Sequence, residues 1–170
     1  VQVPIQEFRR NRQAIDFVDN RLNQVLPGLA ETTKTRLNRD LRRSLTEGTQ
    51  LGLRGKDLED YIANGISDSL GKKRLGRAST IARTEGLALS QFGQDLAVSQ
   101  TGLNLEKEWV AQRDGVVRDS HRLADGQRVQ KNGFFNVGGY NMKYPADSSG
   151  GAPGKEIINC RCSLIYHEVL

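Results

Sequence analysis

Residues 101–112 read TGLNLEKEWVAQ, and the pattern of the chain changes inside them. Up to Thr101-Gly102, apolar residues recur at spacings of three and four, as in amphipathic helices. From Leu105 onward the segments are short and rich in β-formers, and Asp-Gly pairs at 114–115 and 125–126 are turn signals of the hairpin type. Helices first and strands afterwards predict an α+β chain rather than interleaved α/β units. We expect an N-terminal helical region over 1–77 and a second module over 78–170. About four helices in all precede a small antiparallel β-containing, loop-rich part.

Backward from this break, Ala78, Ile81, Leu89, Phe92 and Leu96 form the stripe of a long helix ending at Thr101-Gly102. Leu58, Ile62, Ile66 and Leu70 mark another, and Leu37, Leu41 and Leu45 mark one that stops at Gly48. The first helix spans 4–26, with Ile5, Phe8, Ile15, Val18, Leu22 and Val25 on one face, Pro4 in its first turn and Pro27-Gly28 at its end. Forward from the break, LEKEWVAQ and GVVRDSH read as short strands. Residues 133–153 are rich in Gly, Pro and Asn and predict a long ordered loop or a pair of short edge strands. IINCRCSLIYHEVL at 157–170 is the best strand candidate.

A chain of 170 residues can build one ordinary core or two small ones, so neither disulfide nor metal is needed to hold it folded. Its two cysteines, Cys160 and Cys162, would lie roughly 6.6 Å apart at Cα in a strand, near the limit for an unstrained bridge. A reducing compartment is the simpler reading. No run of 18 apolar residues occurs and the N-terminus lacks the order of a signal peptide, so a soluble protein without a membrane segment is expected. The opening Val1 suggests a processed product or a piece of a longer chain. Residues 1–102 carry 16 basic and 12 acidic side chains and 103–170 carry 9 and 8, so polyanion contact belongs mainly to the first part.

Thiolate and imidazole are suitable zinc ligands, and Cys160, Cys162 and His121, with Asp119, form the metal candidate. The alternative is two small buried cysteines and a hydrogen-bonding loop histidine. A structural zinc fits better than a catalytic one; His167 would lie on the opposite strand face and is a poor ligand for the same ion. A metal-dependent nuclease could recruit His121, Asn132 and Asn159, but the chain has no acidic cluster for magnesium. Nothing in the order of residues brings a base to either thiol for nucleophilic catalysis. Arg36, Arg39 and Arg43 recur on the helix face away from the leucines, and Lys72 and Lys73 crowd the following linker. Such ridges are usually solvated faces; the functional alternative is a contact with DNA phosphates, without sequence specificity because no aromatic residues interleave to stack bases.

The succession IARTEG (81–86), EWVAQRDGVVRDSHRLADGQRV (108–129), the Phe135–Asp147 stretch ending in YPAD, and INCRCSLIY (158–166) resembles the phage Mu F-like minor head, or head morphogenesis, proteins. The resemblance covers 78–166 well and the first three helices poorly. It implies a minor virion component in the head interior or portal region, assembled in the host cytoplasm. Its partners would be the portal protein and other head components, and its work head assembly, DNA packaging or ejection. It implies no enzymatic activity and no cofactor beyond the structural zinc considered above. Some relatives carry an upstream cysteine pair near the place of Asp119-Ser120-His121, and related modules occur joined to toxin domains. By their own chemistry, at least one of Arg83 and Glu85 should draw a polar partner from the β-module, and Arg161 should face away from the cysteines. A catalytic cluster of Arg83, Glu85, His121 and Arg161 is the functional alternative. Trp109 should be the largest apolar anchor, between the long helix and the sheet.

Overall fold

A computed structural model describes residues 16–17, 20–21, 30–70 and 75–169. Most of the helix expected over 4–26, together with Lys72 and Lys73, lies outside the described residues. The rest follows the α+β order: α1 (Glu31–Gln50), α2 (Gly55–Leu70), α3 (Leu75–Ser99), β1 (Leu105–Val110), α4 (Asp119–Ala124), β2 (Arg128–Gln130), β3 (Phe135–Val137), β4 (Tyr140–Met142), α5 (Gly154–Ile157) and β5 (Ser163–Glu168). Two compact units divide within α3, at Gly86 and Leu87.

In the first unit, the leucine stripe of α1 turns inward: Leu37, Leu41 and Leu45 are buried, as are Ile62, Ile66 and Leu70 of α2. α1 and α2 pack against each other through small residues as well. A Cβ built on Gly65 would lie 1.9 Å from Ser44 Oγ, and one on Gly48 would lie 2.6 Å from Leu58 Cδ1. Glycine here permits close approach, so α1 continues through Gly48 instead of stopping there. Arg83 and Glu85 each have a partner on a helical residue. Arg83 Nε lies 3.4 Å from Glu59 Oε2, and Arg21 Nε donates to Glu85 Oε2 at 2.9 Å. Burial raises the Glu85 pKa, and the Arg21 charge opposes that shift.

In the second unit, β1 is the middle strand of an antiparallel sheet ordered β2-β1-β5, with Lys107 opposite Val129 and Tyr166, and Trp109 opposite Leu164. The strand alternation places Lys107 and Trp109 on one face, and both are fully buried. Trp109 packs edge-on to His121 at 5.6 Å and to Phe135 at 5.4 Å between centroids, so its ring contacts are with α4 and β3. Lys107 Nζ donates to Asp95 Oδ1 at 2.8 Å.

β3 and β4 form a separate hairpin whose two-residue turn, Gly138-Gly139, has φ of +59° and +86°. Positive φ at both positions is what a type I′ turn needs, and it confirms the pair of short strands. Two strand expectations are corrected. GVVRDSH contributes a turn and the start of α4, because Arg118 accepts the first helical bonds from His121 and Arg122. IINCRC precedes the strand, because Asn159 adopts φ 56° and β5 starts at Ser163. The Asp-Gly pairs turn the chain around α4 instead of closing two-residue hairpins.

Substituting Gly65→Ala should destabilise the helical unit by about 1–3 kcal/mol through overpacking. Urea unfolding followed by circular dichroism should show the loss, and adding Ser44→Ala should recover most of it by removing the nearest atom.

Candidate metal centre

α4 is a six-residue helix whose buried side chains include His121 and Ala124. The segment entering β5 alternates: Cys160 and Cys162 point inward with 2% exposure each, and Arg161 points out. Arg161 is held outside by Asp114, with Nη1 2.6 Å from Oδ2 and Nη2 donating to Oδ1 at 3.0 Å. Arg118 reaches across from the start of α4 to donate to the Ile158 carbonyl. These polar clamps hold the cysteine segment against the helix.

The result is one buried group in which the donor atoms of His121, Cys160 and Cys162 all lie within 4.8 Å of one another. His121 Nδ1 is 3.3 Å from Cys162 Sγ and 3.6 Å from Cys160 Sγ. The thiols behave as a pair. The hydrogen bond from Cys160 holds Cys162 down to about 5, assisted by His121 and opposed by burial. The same bond, with burial, pushes Cys160 up. One thiolate beside one thiol and one imidazole can donate electron pairs to a metal ion.

Glu156, at 5% exposure, brings its Oε2 to 3.3 Å from His121 Nε2 without the alignment of a full hydrogen bond. Ser120 Oγ donates to the same oxygen at 2.7 Å. Sequence reasoning missed Glu156, and nothing in KEIIN marks it. Lys107 was missed although its alternation with Trp109 places it on the buried face; burial lowers its pKa, and Asp95 opposes that shift.

Asp119, grouped with the cysteines from sequence, is 90% exposed and pairs with Arg122 at 3.1 Å, so the structure removes it from the cluster. His167 Nε2 instead lies 2.8 Å from Glu108 Oε2. Asn132 and Asn159 are exposed, and Arg83, Glu85 and Arg161 are engaged by Glu59, Arg21 and Asp114. Arg36, Arg39 and Arg43 are exposed on α1, with Asp40 Oδ1 lying 3.6 Å from Arg39 and 3.5 Å from Arg43.

The motifs that looked separate in sequence meet here: RDSH supplies Ser120 and His121, ADG supplies Asp125, and NCRC supplies both thiols. Asp125 Oδ1 accepts the Ala111 N–H at 2.9 Å, tying the end of α4 to β1. YPAD is structural: Asp147, 1% exposed, accepts the N–H groups of Lys143 and Ser149 at 2.7 and 2.8 Å.

Helices followed by a small sheet unit that holds a buried Cys-Cys-His group place the chain in the α+β class. This chain belongs to the family described as Phage Mu protein F like protein, whose model matches residues 35–165, a family of phage head proteins. A curated relative, the NAD(+)--arginine ADP-ribosyltransferase EFV of Enterococcus faecalis (strain ATCC 700802 / V583), is 29% identical over 156 residues. That match covers 88% of this chain and 31% of the relative, so the chain spans about a third of the relative's length. No solved structure matches the chain. The expectation of a protein without enzymatic activity is corrected by this relative, whose name is that of a transferase. Motif reading had excluded only chemistries with a recognisable residue pattern.

Asp125 is held below the ordinary carboxylate range by the Ala111 N–H first and Arg113 next, and Asp114 by Arg161 and nearby backbone N–H groups. A depressed folded-state pKa gives stability that is present above the unfolded value and lost as pH falls through the folded one. Stability of the second unit should therefore hold above about pH 5 and fall below about pH 4. Asp125→Asn should flatten that fall, measured by urea midpoints across the range.

Proposed function

We propose that this protein is a minor head component that sits at the portal, with its second unit acting as a compact docking module during head morphogenesis and DNA packaging or delivery. The observation that carries the reading is the extent of the family match, which begins inside α1 and ends inside β5. Partners would be the portal protein and other head subunits in the virion. The exposed Arg36, Arg39 and Arg43 support an additional non-specific contact with DNA phosphates, moderated by Asp40. Lys72 and Lys73 would extend it by charge. No helix among the described residues is long and apolar enough to cross a membrane.

Fractionation of precursor heads and mature virions, followed by mass spectrometry, should find the chain in particles that contain portal. Detection in neither fraction would overturn the reading.

The Enterococcus faecalis relative supports a second reading, in which a module of this kind forms part of a longer polypeptide that transfers ADP-ribose from NAD(+) to arginine. Incubating the chain with labelled NAD(+) and an arginine-rich acceptor tests it. Label transfer would assign the activity to these residues; its absence would leave the activity to the remainder of the relative.

A further inference from the structure

In the buried group described above, one ring nitrogen faces two sulfurs: His121 Nδ1 lies 3.3 Å from Cys162 Sγ and 3.6 Å from Cys160 Sγ. A neutral imidazole Nδ1 carries either one proton or one lone pair, so it can bond to only one thiol at a time. Where the two sulfurs share a proton as thiol and thiolate, Nδ1 serves Cys162 and Cys160 bonds only to its neighbouring sulfur. A cation between the three atoms satisfies all of them at once.

The distances suit zinc. With Zn–S of about 2.3 Å and Zn–N of about 2.0–2.1 Å, tetrahedral geometry puts neighbouring nitrogen and sulfur donors about 3.5 Å apart and two sulfurs about 3.8 Å apart. The two nitrogen–sulfur distances fall on either side of the first value, and all three donors lie within 4.8 Å. Charge agrees as well. Two thiolates neutralise a divalent ion, which lowers the cost of placing charge among side chains that are 1–2% exposed.

Glu156 supplies the support that a ligating histidine needs. Its carboxylate, anchored by Ser120 Oγ, lies beside His121 Nε2. A proton kept on Nε2 by that carboxylate leaves the Nδ1 lone pair directed at the sulfurs. Gly138, with φ +59°, lies against the same carboxylate: a Cβ there would be 3.1 Å from Glu156 Oε1. The β3–β4 turn thus closes over the acid that positions the ligand.

We propose that His121 Nδ1, Cys160 Sγ and Cys162 Sγ bind one zinc ion, with Glu156 as the outer carboxylate that orients His121 and water completing the tetrahedron. The ion joins α4 to the segment entering β5, two places where the secondary structure is short and the core is small. Its role is to fasten the second unit.

The full chain, purified under reducing conditions and refolded with equimolar zinc, should retain about one zinc per chain after dialysis, by mass spectrometry of the metal. Cobalt substitution should give thiolate-to-metal charge-transfer absorption. Cys162→Ser should lose both signals. His121→Cys, which replaces one good ligand by another, should keep zinc and strengthen the cobalt band, and it guards against a serine variant that fails to fold. Glu156→Gln should bind zinc about 10–100-fold more weakly with unchanged saturating stoichiometry. A folded wild-type chain that retains only background zinc, or a Cys162→Ser chain that binds as tightly as wild type, would overturn the proposal.

Discussion

Trp109, next to the end of β1, is the contact on which the second unit depends. β1 pairs with β2 on one edge and β5 on the other, so it alone touches every strand of the three-stranded sheet. Its tryptophan, fully buried, meets the rings of His121 and Phe135 edge-on, bringing α4 and the β3–β4 hairpin against the same strand. Backbone bonds reinforce the arrangement: Trp109 N–H donates to Gln127 O at 2.9 Å, and Gly126 N–H donates to Trp109 O at 2.8 Å. Edge-to-face aromatic contacts of this kind add about 0.5–1.5 kcal/mol beyond burial. Here they also fix where the imidazole stands relative to the cysteine segment.

Around that contact, polar residues do the work that a larger core would otherwise do. Asp125 satisfies one backbone group, and Asp147 and Lys131 satisfy two each: Lys131 Nζ, for example, donates to the Thr101 and Leu103 carbonyls at 2.6 and 2.7 Å. Loops cannot satisfy their own backbone groups as helices do, and fixed side-chain bonds replace the missing ladder. Family motifs such as ADG and YPAD are therefore chiefly positioning devices. Their meaning is geometric: they set the chain directions that bring RDSH and NCRC together.

Much of this was legible in the residues. Leu37, Leu41 and Leu45 had to lie on one helical face whatever the rest of the chain did, and Lys107 had to share a strand face with Trp109. The family likewise followed from motif order, because several weak patterns in fixed succession are far more specific than any one of them. What was misread were short segments whose local preference lost to context. GVVRDSH is rich in β-formers, yet the Arg118 carbonyl nucleates α4, and NCRC reads as strand although the left-handed conformation of Asn159 delays β5. Gly48 looked like a stop, and the packing role of Gly48 and Gly65 needed the neighbouring helix to be seen.

Sequence alone determined the order of helices before strands, the faces of the long elements and the family, because periodicity and motif order are local or one-dimensional properties. Only the tertiary structure decided which titratable groups meet. His121 and Cys162 are 41 positions apart, Ser120 and Glu156 are 36 apart, and no spacing rule connects them. Asp119, two residues from His121, points to solvent, while Glu156 from the distant α5 lies beside the imidazole. Proximity in space is set by how β1, α4 and the segment before β5 fold over Trp109, and that information is distributed through the whole unit.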